Sequence, residues 1–188
     1  MHCCAHALNL VLVDAVSVHS ETQLFFGTAE KLYVFITSSL PQLHTLQEQQ
    51  KALYDHVVDT LKRLSDTRWA SRKHAVDAIV QSFAAILIAL DEISKGCTAE
   101  HKGIIRAEAM GLLTLITSYS FIFMLLIMQR MLNSIFVLSN YLQRNNIDII
   151  FAGQLIESTR KSIADLRKDE AFNAIKEEVD ALIAGLPD

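Results

Sequence analysis

Two short clusters of side chains in this sequence have types and spacings that could do chemistry. The first is Cys3-x-x-His6, which places a thiol and an imidazole about one helical turn apart on the same side. Tetrahedral zinc takes such ligands, so the pair could be half of a metal site. A complete site needs two more ligands, and the distant candidates His19 and Cys97 form no second pair at a metal-binding spacing. The same pair could instead be a cysteine–histidine nucleophile, although no orienting group or oxyanion donor accompanies it. The plainer alternative is a small buried cysteine beside a hydrogen-bonded histidine. No metal or other cofactor is expected for this chain.

The second cluster is Ser65-Asp66-Thr67-Arg68-Trp69-Ala70-Ser71-Arg72, which holds the single tryptophan. Lys62, Arg63, Arg68, Arg72 and Lys73 surround it, with Asp66 the one acid among them, in a chain whose net charge is −4. Amide donors at a helix start, a cationic rim and a flat indole could hold a phosphate and stack a base. Such stacking is worth about 1–3 kcal/mol per base. The alternative is that Trp69 packs into the core while the basic residues form a solvated face. Elsewhere the acids come as neighbours, Asp91-Glu92, Asp169-Glu170 and Glu177-Glu178. Adjacent residues point to different sides of a helix, so these pairs do not converge on one metal. No Ser-His-Asp set, glycine-rich phosphate loop or zinc-finger pair is present, and the sequence offers no complete active site.

The elements that would position these clusters read as helices. Pro occurs twice and Gly six times in 188 residues, a usage that suits long helices and leaves little for a sheet. Apolar periodicity predicts helices over Ala5–Val16 and Glu21–Ile36, with Ser38, Ser39 and Pro41 as a break. Leu43–Leu64 is Gln-rich, weakly amphipathic and partly loop by this reading. Ser65, Asp66 and Thr67 offer capping oxygens to a long segment, Arg68–Ile93, which Lys95-Gly96 closes. Glu100–Leu142 is helical with an interruption near Thr117–Ser120, Asn145-Asn146 is a turn, and Ile147–Leu166 and Ala171–Ala184 complete the series. The expected fold is mainly α, an array of about six or seven helices.

Composition bounds the rest. Three cysteines, two of them adjacent, make no disulfide framework and fit a reducing, intracellular setting. A pI near 6.0 argues against general nucleic-acid binding by the whole surface. The mean hydropathy of +0.27 calls for a membrane span or for apolar faces that a partner covers. Ala109–Met128 is twenty residues without formal charge, the length of a span, but Thr117, Ser118, Tyr119 and Ser120 sit near its middle. The chain also enters what reads as the middle of a helix, and truncation is expected.

Two stretches together resemble the hAT superfamily of transposases. His2-Cys3-Cys4-Ala5-His6-Ala7-Leu8-Asn9-Leu10-Val11 resembles that family's C-x-x-H-x-L-N-L-V segment, and Leu64–Arg72 resembles its D-T-R-W-x-S-R segment. The runs Glu108–Leu113, Phe121-Ile122-Phe123 and Leu138–Gln143 follow in the family's order, and the branch most similar is that of domesticated transposases like zinc finger MYM-type protein 1. The resemblance implies a ribonuclease H-like fold interrupted by a helical insertion, with the sheet core largely missing here. Residues 1–18 would be a helix of that core and residues 19–188 the insertion domain. It also implies a nuclear protein whose ancestral role was DNA binding and strand transfer, using divalent metal held by three acids. Those acids are expected to lie outside this chain, so no catalytic residue is carried over and no enzyme is expected. What is carried over is Cys3 and His6 as a motif near the ancestral active site, and Arg68 with Trp69 as DNA contacts, among the neighbours Arg72, Lys73, Lys62 and Arg63. The apolar stretch around 109–128 would then be buried insertion helices. The expected partners are DNA, and second copies or other proteins on exposed apolar faces. A helical protein–protein interaction module without DNA binding is the alternative, and a single-span membrane protein a weaker one.

Overall fold

The computed structural model describes residues 4–54, 61–64, 69–96 and 103–185. Among the described residues there are nine helices and no strand, so the chain is mainly α. They are α1 (Cys4–Ser17), α2 (Ser20–Thr37), α3 (Leu40–Tyr54), α4 (Trp69–Gln81), α5 (Phe83–Lys95), α6 (Gly103–Ile116), α7 (Tyr119–Leu142), α8 (Ile149–Asp165) and α9 (Asp169–Ala184).

The count exceeds the sequence expectation because two boundaries were under-read. The Ser39–Pro41 break is also a start signal. The backbone amide of Gln42 donates to Ser39 Oγ at 3.5 Å, a side-chain cap of the first turn, and Ser39 Oγ donates in turn to Gln42 Oε1 at 2.6 Å. Pro41 then sits in the first turn of α3, where a missing N–H leaves no bond unmade. Downstream, the expected single helix over Arg68–Ile93 is divided at Ser82 into α4 and α5. Ser82 leaves helical geometry at φ −106°, ψ 10°, and it is fully buried. A buried hydroxyl needs a partner, and Ser82 Oγ finds one in the side-chain amide of Gln50, which donates at 2.9 Å. Gln50 lies on the core face of α3 with Gln42 and Leu46. That face carries two glutamines, which is why its periodicity read as weak.

The expected end at Gly96 agrees with the structure. Gly96 adopts the left-handed conformation at φ 71° and its amide reaches back to the Ile93 carbonyl at 3.1 Å, closing α5. The interruption near Thr117–Ser120 is also present. Ser118 is extended, and its Oγ accepts from the Phe121 amide at 3.3 Å to cap α7. The uncharged stretch 109–128 is therefore divided between α6 and α7.

α7 is long and apolar enough to cross a bilayer. In this fold it is the central helix, against which α1, α2, α4, α6, α8 and α9 all pack. α5 organises the other side through α3, α4 and α6. Leu32 and Ile36 of α2, Ile86 and Leu90 of α5, and Ile122 and Leu125 of α7 are among the fully buried side chains of one shared core. Burying each such side chain contributes about 1.5–3 kcal/mol. A separate, smaller cluster of Leu138, Leu142 and Ala152 holds α8 to the end of α7.

Candidate functional site

The geometry around Trp69 brings together two sequence motifs that are sixty residues apart. Trp69 opens α4 and its side chain is only 6 % exposed. Its backbone amide donates to Asn9 Oδ1 at 3.2 Å, and its indole N–H donates to the Asn9 backbone carbonyl at 3.2 Å. A carbonyl oxygen has two lone pairs, so a residue within α1 can accept the indole while remaining in its helix. The first amides of a helix have no partner within it, and Asn9 supplies one from outside.

Behind the indole lies an aromatic wall. Phe26 meets Trp69 edge to face, with ring centroids 6.4 Å apart and planes at 86°. Phe25 continues it to Phe26 at 5.1 Å and to Phe121 of α7 at 5.2 Å. Arg72, one turn along α4, lays its guanidinium over Phe26 at 4.5 Å and over Trp69 at 5.0 Å. A guanidinium over two π-faces gains a cation–π attraction that strengthens as water is excluded. Both Trp69 and Arg72 are thus committed to the interior.

The remaining basic residues of the cluster take separate places. Lys73 pairs with Asp77 one turn on, in a bridge whose side chains are 17 % and 18 % exposed, and its ammonium lies 4.9 Å from the Phe136 ring of α7. His74 meets the same ring at 5.5 Å. Lys62 is half-buried and Arg63 exposed in the non-helical segment 61–64. Glu30 of α2 receives this segment, accepting from the Leu64 amide at 3.2 Å and facing Arg63 Nε at 3.7 Å. Among the described members of the cluster, Arg63 is the exposed one.

Cys3, Arg68, Cys97 and the expected caps at 65–67 lie outside the described residues. His6 is exposed on the first turns of α1. Among the described residues, no group of three or more His, Cys, Asp and Glu is placed to hold a metal ion. Three of the six adjacent acids have separate partners: Asp91 binds Lys95 at 2.6 Å, Glu92 accepts from Gln49 at 2.9 Å, and Glu178 binds Arg130 at 2.5 Å. The residue that sequence reading passed over is Asn9. Its one signal was a polar side chain inside the apolar run Leu8–Val13, where a buried amide must find a partner.

No known family profile matches this chain, and no solved structure does. The chain is 22 % identical over 170 residues to a human protein named the 52 kDa repressor of the inhibitor of the protein kinase. The match covers 89 % of this chain and 22 % of that protein, so the chain spans less than a quarter of its relative's length.

Proposed function

We propose that this chain is a non-catalytic helical scaffold from a hAT transposase-derived protein, the helical insertion of an interrupted ribonuclease H-like fold, and that it works by presenting helix faces to other proteins. The observation that carries the reading is the clamp of Trp69 on Asn9. The C-x-x-H-x-L-N and D-T-R-W segments, on which the family resemblance rests, meet through their own residues in this fold. Their meeting is architectural: an indole 6 % exposed and bonded to a helix carbonyl holds α4 against α1 and offers no open face to a base. The human relative bears the name of a repressor of a kinase inhibitor, a regulatory role that suits a scaffold. A nuclear location belongs to the same proposal.

A second reading, contact with DNA as in the ancestral transposase, is favoured by one observation. Arg63 is exposed beside Lys62, ahead of the helix that Trp69 opens, and its 3.7 Å contact with Glu30 is an exposed ion pair of the weak kind. Fluorescence anisotropy of labelled hairpin DNA over a salt series separates the two. Salt-sensitive binding that disappears in Lys62→Glu/Arg63→Glu establishes the DNA reading. Absence of salt-sensitive binding by the folded chain supports the scaffold. Trp69→Ala is unsuited to this test because it removes part of the core.

A further inference from the structure

We propose that the cleft between the end of α9 and the α4–α5 junction binds an uncharged, lipid-like small molecule, a hydrocarbon body with one hydroxyl or carbonyl head, independently of the scaffold reading. The sequence makes the space. Along α4 and α5, Val80, Ala84, Leu87 and Ile88 recur at intervals of three and four residues, which puts them on one stripe of the helical path. Ala84 is the small member of that stripe. From the other side, α9 presents Ala181 and, one turn on, its cap Gly185. Small residues on both walls leave a cavity of about 710 Å³ between them, within the range of roughly 300–1,000 Å³ of small-molecule sites.

The walls do not depend on an occupant. Phe83 and Leu87 belong to the shared core, and so do Ile175 and Val179, which hold α9 along α7. The cleft is therefore largely preformed, as small-molecule sites are. Tyr54 closes it from the end of α3. Residues two apart on a straight helix do not share a side. The departure from helical geometry at Ser82 lets Gln81 and Phe83 line the same space. Phe83 is buried and Tyr54 half-buried, whereas Gln81, Ala84 and Ala181 are exposed, so the cleft opens to solvent on their side.

The class of ligand follows from the lining. Its apolar side chains favour a hydrocarbon body. Tyr54 and Gln81 are the polar exceptions, a phenol hydroxyl and a carboxamide that can each donate and accept. No Asp, Glu, Lys, Arg or His is among the described residues that line the cleft. A charged head would lose water there and meet no counter-charge, a cost that a neutral hydroxyl or carbonyl avoids.

Calorimetric titration of the full chain with 1-decanol tests the proposal. Saturable one-to-one binding with a negative heat-capacity change is expected. Decanoate and decylammonium, with the same chain length and charges of opposite sign, should each bind about tenfold more weakly or worse. Ala84→Trp fills the cleft from one wall and Ala181→Trp from the other, and each should weaken 1-decanol about tenfold or more. Both positions are exposed, so circular dichroism should show unchanged helicity. The two lie on different helices, so one variant still reads out if the other fails to fold. Tyr54→Phe combined with Gln81→Leu should also weaken the alcohol about tenfold. No saturable binding would overturn the proposal. So would either ion binding as tightly as the alcohol, or binding indifferent to the tryptophan variants or to the loss of both polar groups.

Discussion

Asn9 and Trp69 hold each other by two hydrogen bonds of 3.2 Å, one from the backbone amide and one from the indole of Trp69. Through them the start of α4 is fixed to the middle of α1.

Replacing Trp69 with Ala should therefore act on folding. The loss of a buried aromatic side chain costs about 3–5 kcal/mol, and the midpoint of urea unfolding should fall accordingly. Asn9→Ala removes the acceptor for the Trp69 amide and spares the indole bond, which goes to the backbone carbonyl. Its cost should be smaller, about 1 kcal/mol. Equal effects of the two substitutions would refute the division of roles.

Gly96 should tolerate no side chain. Its φ of 71° is a left-handed conformation, and an added Cβ would stand 2.9 Å from Arg106 Nε, which donates to the Ser94 carbonyl at 3.0 Å. Gly96→Ala should destabilise by about 1–2 kcal/mol from the backbone alone, with a further loss if Arg106 is displaced. Thermal unfolding followed by circular dichroism measures it, and a neutral result would mean that α5 ends some other way.

The helix starts after the two turns of the C-terminal half should depend on their caps. Asp148 Oδ1 accepts from the amides of Ile150 at 2.8 Å and Phe151 at 3.2 Å, and Ser118 Oγ accepts from Phe121. Asp148→Ala and Ser118→Ala should each cost about 1 kcal/mol. Their distribution should differ. Asp148→Ala should accelerate amide hydrogen exchange at the start of α8, held by its small cluster, while the central α7 stays protected.

Glu157 should titrate below the ordinary carboxylate value. Its hydrogen bonds from Arg160 lower it, the slight cost of desolvation opposes this, and the charge of Arg160 adds to the lowering. Arg160 is raised by the same partner. A depressed folded-state value means that the pair stabilises the fold above the ordinary carboxylate range, and that this stability is lost as pH falls through the lowered value. Both groups are exposed, so the effect is small and salt-screened. A side-chain carboxyl titration by NMR should show Glu157 moving up toward its ordinary value in Arg160→Gln. No movement would place the cause elsewhere.

What the sequence by itself determined was the class of the fold and most of its punctuation. Few glycines and prolines and the 3.6-residue recurrence of Phe25, Ala29, Leu32 and Ile36 require helices, because those spacings put apolar groups on one face. Gly96, the Thr117–Ser120 interruption and the Asn145-Asn146 turn were legible for the same local reason. Only tertiary structure decided the rest. Ser82 divides a periodic segment because Gln50, thirty-two residues earlier, reaches it in the core. The basic cluster around Trp69 looked like one surface patch because its charges are neighbours along the chain. Helix packing turned Trp69 and Arg72 inward against Phe26, tied Lys73 to Asp77, and left Arg63 exposed. Local patterns reveal which side a residue takes on its own helix, whereas the partner that receives it comes from a distant helix that no local spacing names.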